Sequence, residues 1–319
     1  MRKNALLAAL ITLSAASNAA AVQVYGKANV SLNHTDASNS DTVKLNSNAS
    51  RIGVKGSYEV SEGLKAIYKF EYETFIDDGN DGSVIDVNGE DESTGSEFKQ
   101  RNIYAGFQGG FGTIIAGKHD TPTKLAQGKI DLFNDLPNAD IKNVIQGENR
   151  VSNIVMYSTP KTNGLKATVA FVPGDDTGGG EDGISSAVSY QSGDLSVTVA
   201  YDDGTAIDSS VETLTRLAAE YKVGNAKFGA LFQQADEGAS DEDGYILSSS
   251  YKLANGVILK GQYGESDDET TEKTQIAVGA DFKLNKKSKL FAYYSDIEAE
   301  TNTSSTSVST YAVGYEIKF

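Results

Sequence analysis

The chain has 319 residues and carries 44 Asp and Glu against 28 Lys and Arg, a formal net charge of −16. Such acidity argues against a nucleic-acid binder, which needs clustered cations, while 16 Tyr and 12 Phe are too many for a disordered acidic chain. With no cysteine there is no disulfide scaffold, so stability has to come from a large hydrogen-bonded architecture.

The first element in chain order is a leader. MRKNALLAALITLSAASNAAA places the cations Arg2 and Lys3 before an apolar run over 5–16 and a small-residue A-x-A site at Ala19-Ala20-Ala21. This predicts a cleaved signal peptide over residues 1–21 and export of the rest. The apolar run is shorter than the roughly 20 residues that span a bilayer. Loss of Arg2 and Lys3 takes the formal charge from −16 to −18.

From Val22 onward the pattern is strict alternation. VQVYGKANVSLN sets Val22, Val24, Ala28, Val30 and Leu32 on one face and Gln23, Lys27, Asn29, Ser31 and Asn33 on the other, as a strand does. The same rhythm returns at Ile52/Val54/Tyr58, Leu165/Val169/Phe171, Leu195/Val199/Tyr201, Tyr245/Leu247/Tyr251, Val257/Leu259/Tyr263 and Ile276/Val278/Phe282. It ends in STYAVGYEIKF, where Tyr311, Val313, Tyr315, Ile317 and Phe319 alternate with small or charged residues. These segments have about 9 to 12 residues, the length of a tilted membrane-crossing strand.

Connections alternate in length. Short ones such as GGFG (109–112), PKTNG (160–164), QSGD (191–194) and ANG (254–256) have tight-turn chemistry. Long polar ones occupy 34–46, 76–97, 120–149, 173–183, 203–212, 235–243, 265–273 and 297–307. The count is about sixteen antiparallel strands, an even number as a closed meander requires. The fold class is therefore all-β, a transmembrane 16-stranded antiparallel up-and-down β-barrel forming one domain over 22–319. A soluble exported β-sandwich is the competing fold, but it rarely uses so many equal hairpins without a Greek-key excursion. With no Trp, aromatic girdles fall to Tyr and Phe, for example Tyr58, Phe171, Tyr201, Tyr251, Tyr263, Tyr294 and Tyr311.

Two stretches imitate other chemistry. Gly112–His119 nearly matches a phosphate-binding loop, but His119 replaces the hydroxyl that would hold magnesium and no helix pattern follows, so it reads as a strand. DDGNDGSVID, 77–86, spaces acids like a calcium loop but offers Asn88 where a bidentate Glu is needed, so it reads as a solvated acidic loop. No metal site or cofactor is expected.

The informative polar residues are cations inside strands. Lys27 and Arg51 share the polar parity of their strands and so point into the lumen, since a cation facing hydrocarbon costs about 2–4 kcal/mol at the midplane. Arg101 shares parity with Ile103 and Phe107, and Arg150 with both Ser152 and Ile154, so alternation leaves their orientation open. The loop over 120–149 carries Leu125, Ile130, Leu132, Phe133, Leu136 and Ile141, more apolar content than a solvated loop needs. Folded into the barrel, it would set its apolar side on the wall and aim Asp131, Asp135 and Asp140 at the opening.

These segments resemble the general diffusion porins of Gram-negative outer membranes. The resemblance rests on VYGKANVSL, SRIGVKGSYEVSEGLKAIYKFEYE, RNIYAGFQGGFGTIIAGKHDTP, RVSNIVMYSTPKTNGLKATVAF and the terminal YAVGYEIKF, which follow the family's order across the chain. It implies a homotrimer of sixteen-stranded barrels, each with a water-filled channel narrowed by its inward-folded third long loop, here 120–149. It also implies a basic wall of Lys27, Arg51, Arg101 and Arg150, all facing the lumen, opposite loop carboxylates. DLFNDLPNAD stands where the family has P-E-F-G-G-D, so Asp131, Asp135 and Asp140 all remain candidates. Terminal Phe319 matches the assembly signal read by the barrel-assembly machinery. Outer-membrane lipid and lipopolysaccharide are the implied surroundings, and small hydrophilic solutes and ions the implied cargo.

The expected function is passive diffusion of such solutes, weakly cation-preferring because acidic loops favour cations at the mouth while the wall cations oppose them. The alternatives are a sugar-selective channel, disfavoured by the absence of Trp, and a barrel hydrolase using His34 or His119. The expectation is a channel, not an enzyme.

Overall fold

The computed structural model describes residues 22–37, 40–77, 84–85, 91–92, 98–174, 182–205, 211–238 and 240–319. The signal-peptide expectation over 1–21, and the calcium-like stretch apart from Asp77, Val84 and Ile85, lie outside the described residues.

Val, Ile, Tyr, Phe and Thr at alternate positions favour pleated, half-buried strands, and they form one antiparallel meander. Its strands are β1 (Gln23–Ala37), β2 (Ser40–Ser47 continued by Arg51–Ser61), β3 (Leu64–Thr74), β4 (Phe98–Gly109), β5 (Gly112–Asp120), β6 (Arg150–Ser158), β7 (Leu165–Val172) and β8 (Gly183–Ser192). Next come β9 (Leu195–Asp203), β10 (Thr213–Val223), β11 (Ala226–Asp236), β12 (Asp241–Lys252), β13 (Ile258–Asp267), β14 (Thr271–Lys283), β15 (Ser288–Thr301) and β16 (Ser305–Lys318). The sheet contains 17 hydrogen-bonded segments, but both parts of β2 pair with β1, so the barrel has 16 strands. At the break in β2, Ala49 adopts a φ of 48°. There Ser50 Oγ accepts the backbone N–H of Asn29, and Asn48 Nδ2 donates to Ser31, which replaces the missing ladder bonds.

The sheet closes where β1 pairs with β16, from Lys27 opposite Lys318 to Ala37 opposite Val308. Gly26 and Phe319 complete the seam by exchanging backbone hydrogen bonds of 3.2 and 3.1 Å. The Phe319 ring lies over Gly26, so a side chain at position 26 would have to displace it. Closure with neighbour-to-neighbour pairing excludes the β-sandwich.

Burial is inverted relative to a water-soluble protein. Large apolar side chains such as Val188, Leu217, Phe232, Leu247, Val278 and Val313 are exposed, while Ser185, Gln233, Gln275, Ser295 and Thr310 are buried. Apolar groups outside and polar groups inside fit strands set between hydrocarbon and an aqueous lumen. Inward apolar residues are grouped in patches, and two of these underlie the segment over 121–149 inside the barrel.

Candidate functional site

The segment over 121–149 starts as a short helix, α1 (Pro122–Ala126), with Thr121 capping Lys124 N–H and Pro122 in the first turn. It continues through a 3₁₀ turn at Ile141–Asn143 capped by Asp140. Its apolar side chains seat on the wall. Ile130, Ile141, Val144 and Ile145 pack on Ala218, Leu231 and Ile246 of β10–β12. Phe133, Leu136 and Ala139 pack on Ala277, Phe291, Tyr293 and Ala312 of β14–β16. Leu125, expected among the packed residues, is instead 48% exposed, because α1 turns it towards the open lumen.

Polar wall residues hold the backbone of this segment. Arg216 of β10, fully buried, donates to Glu148 at 2.9 Å, to the carbonyl of Gln146 at 2.7 Å and to that of Thr123 at 3.1 Å. Gln262 accepts from Leu132 N–H and donates to the Ala139 carbonyl. Gln275 donates to the carbonyls of Asn138 and Asp140, and Tyr293 to that of Pro137. Buried loop carbonyls that water cannot reach are thereby satisfied.

The opposite edge of the segment meets charge. Asp135 Oδ2 lies 2.9 Å from Lys27 Nζ and 2.5 Å from Arg51 Nη2, and Asp135 Oδ1 lies 3.9 Å from Arg101 Nη2. Burial alone would raise the Asp135 pKa, but Lys27, Arg51 and Arg101 outweigh it and hold the carboxyl far below the usual carboxylate range. Arg101 also donates to Glu73 at 2.6 Å and to Glu71 at 3.3 Å. Arg150 sits apart from this cluster, 2.9 Å from Asp120 and bonded to Asn102.

Alternation left Arg101 and Arg150 unoriented for a structural reason. The register of β3 and β4 shifts between Phe70 and Tyr72, opposite Arg101 and Asn102, and that of β5 and β6 shifts between Gly117 and His119, beside Asn153 at a φ of 58°. A bulge inserts one residue and breaks parity, which lets Arg101 turn inward although Ile103 and Phe107 face out.

Of the three loop carboxylates, Asp135 alone pairs with the wall cations; Asp140 also lines the charged cavity between loop and wall, and Asp131 does not, so the expectation that all three aim at the opening is corrected for Asp131. Asp131 accepts the N–H groups of Phe133 and Ile141, and Asp140 those of Asp135 and Lys142, so both carboxylates shape the loop's own backbone. Lys69, Glu71 and Glu73 also belong to this wall, although the strand cations alone do not point to them. The signal was present in LKAIYKFEYET, where these three share the parity opposite Phe70 and Tyr72. Glu71 bonds Lys69 at 3.2 Å and Tyr25 at 2.8 Å, so the wall is a ladder of mixed sign.

Between the loop edge and β2–β6 lies a cavity of about 680 Å³ lined by six cations and five carboxylates, among them Arg51, Arg101, Arg150, Asp120, Asp135 and Glu148. It is a polar cavity bounded by charges of both signs. Among the described residues no group of His, Asp and Glu is placed to hold a metal.

Comparison with known proteins returns one architecture throughout. A family model described as Gram-negative porin matches residues 5–302. Outer membrane porin protein 32 of Delftia acidovorans is 27% identical over 91% of this chain and 88% of its own. Major outer membrane protein P.IB of Neisseria gonorrhoeae is 25% identical over 90% and 91%. Among solved structures, an anion-selective porin from Comamonas acidovorans superposes with a TM-score of 0.74 at 20% identity, covering 94% of this chain and all of the other. OmpF of Salmonella typhi superposes with a TM-score of 0.71 at 15% identity over 93% and 97%; these two structures support the fold alone.

Proposed function

This chain belongs to the Gram-negative porin family and resides in the outer membrane of a Gram-negative bacterium, and on that premise we propose that it forms a water-filled channel for passive diffusion of small hydrophilic solutes and ions. The observation that carries this reading is the charged passage left between the moored loop and the wall. Arg51, Arg101 and Arg150 form its basic side, Lys27 backs it through Asp135, and Asp135 is the loop carboxylate that meets the wall at the constriction.

Opposed rows of charge would set up a transverse field across the passage. Here Glu71, Glu73 and Asp120 stand among the wall cations, so the field is partly cancelled at its source and the lining is close to neutral. Selectivity then falls to the acidic outer loops, giving a weak cation preference at the mouth. A weak anion preference is the second reading. The slight excess of cations in the passage and the anion selectivity of the Comamonas porin favour it.

A homotrimer, an assembly role for the Phe319 strand and contact with lipopolysaccharide belong to the same proposal. The apolar belt outside the barrel, the seam at Gly26 and Phe319, and a solved relative described as a trimer form support them. Single-channel recording in a planar bilayer tests the whole reading. Ohmic steps closing in threes, with a small cation-selective reversal potential in a salt gradient, are expected. A potential of opposite sign replaces the selectivity reading, and absence of current from verified folded barrel overturns the channel.

A further inference from the structure

Leu125 belongs to two cavities. Its exposed side chain on α1 lines the charged passage and also a second lumenal recess of about 450 Å³ on the side of the short turns. The floor of the recess is apolar: Ile67 of β3, Tyr104 of β4, Ile115 of β5 and Met156 of β6 share a packed patch of the inner wall. Elsewhere in the lumen inward apolar patches of this kind are covered by the loop. Here Ile115 and Met156 are buried within the patch, but Ile67 and Tyr104 are only half-buried and Leu125 is exposed, so the recess keeps apolar surface towards the lumen.

The rim of the recess is cationic. Lys161, in the turn after β6, and Lys166 of β7 are exposed beside it. Lys161 donates to the neutral amide of Gln191 at 2.5 Å, Lys166 has no carboxylate partner among the described residues, and no Asp or Glu lines the cavity. In a chain with 44 acids to 28 basic residues, a lining of two lysines and His119 without a carboxylate is a local reversal of sign. An apolar floor of this size with a few convergent polar groups is the usual form of a small-molecule site.

We propose that this recess is a binding subsite for small aromatic or branched aliphatic monocarboxylates, the hydrocarbon part lying on Ile67, Tyr104 and Leu125 over the buried Ile115 and Met156, and the carboxylate meeting Lys161 and Lys166. The subsite rests on the channel reading, because solute reaches the recess through the lumen. Its role is to raise the local concentration of such acids just beyond the passage, and with it their flux at low external concentration.

The test uses benzoate, with acetate as the probe that lacks the ring and benzyl alcohol as the probe that lacks the charge. Titration calorimetry on folded protein in detergent and block of ion current in a bilayer are read in parallel. Benzoate is expected to saturate in both, with each control binding about ten-fold more weakly. Replacing both lysines, Lys161→Gln with Lys166→Gln, should weaken benzoate about five-fold, the loss expected for exposed ion pairs, and leave benzyl alcohol unchanged. Leu125→Ser, at an exposed position, should weaken benzoate and benzyl alcohol alike. Benzoate binding no tighter than acetate overturns the proposal, as does wild-type affinity in the double lysine variant. Loss on Arg101→Gln without loss in the lysine variant assigns benzoate to the charged passage and also overturns it. Ohmic current without saturable benzoate binding removes the subsite and leaves the channel. Calorimetric binding without current removes the channel and leaves the site.

Discussion

The segment over 121–149 turns an apolar edge towards β10–β16 and a charged edge towards β1–β4, and the two edges are fixed by different forces. On the first, Phe133, Ile130, Ile141 and Val144 are buried on wall patches and Gln262, Gln275 and Arg216 hold the backbone carbonyls. On the second, a single carboxylate, Asp135, is shared by direct contact with Lys27 and Arg51 and lies 3.9 Å from Arg101. Burial and satisfied hydrogen bonds set where the loop is; ion pairs set what field a solute meets. The position can therefore survive changes of charge on the β1–β4 edge, while the field cannot.

Removing Arg216 should separate the two most sharply. Arg216→Ala leaves three carbonyl or amide acceptors without this donor and the buried Glu148 carboxylate with only Gln127 and the more distant Lys124, a loss of about 3 kcal/mol or more. The segment should become protease-sensitive and the current noisy. The barrel itself should unfold in denaturant as before, since its ladder runs strand to strand. A shifted barrel transition would show that mooring and barrel are one cooperative unit. Phe133→Ala leaves a cavity against Phe291 and Tyr293, worth about 3 kcal/mol, and should give the same noise with a smaller rise in proteolysis. Unchanged current noise in that variant would place the mooring in the hydrogen bonds alone.

The charged edge should respond in the opposite way. Asp135→Asn leaves Lys27 and Arg51 without their shared carboxylate, so reversal potential should move towards anions by about two- to five-fold in permeability ratio, the effect of one screened charge. Proteolysis of the segment should stay as in the parent; cleavage at 121–149 would mean that the ion pair, too, positions the loop.

The smallest effect is in the pH response. Asp135 is held well below its unfolded value near 3.9, so its contribution is complete above that pH and lost only as pH falls through the lower folded value; conductance should be flat from about pH 7 to 4 on its account. Asp131 is the reverse case, because burial and then the Asp140 charge raise it. Its ionised form is disfavoured in the folded loop, so the penalty grows as pH rises from the unfolded value near 3.9 to the raised folded value and is constant above it. Asp131→Asn, measured by proteolysis against the parent, should therefore look relatively better at about pH 8 than at pH 5. No pH dependence in that difference would show Asp131 to be ionised without penalty.

How legible each part was follows from its period. The outward belt repeats every second residue for the length of every strand, so Tyr311, Val313, Tyr315, Ile317 and Phe319 disclose their face from sequence alone. The inward direction of Lys27 and Arg51 follows by the same parity. Glu71 and Glu73 were equally readable but stood behind the conspicuous cations. Arg101 and Arg150 were not readable, because a bulge beside each resets parity and nothing local marks where it falls.

The sequence by itself determined the strand rhythm, the count, the sign of each face and the presence of one loop too apolar to live in water. Alternation and turn chemistry are local, and a closed sheet repeats them at every strand. Which carboxylate meets the wall, which arginine holds the loop and which apolar patch stays uncovered were decided only in three dimensions. Asp131, Asp135 and Asp140 are alike in composition and spacing, and they part company because 3₁₀ capping and backbone acceptance use two of them while the fold carries the third across the lumen to strands more than eighty residues away in sequence.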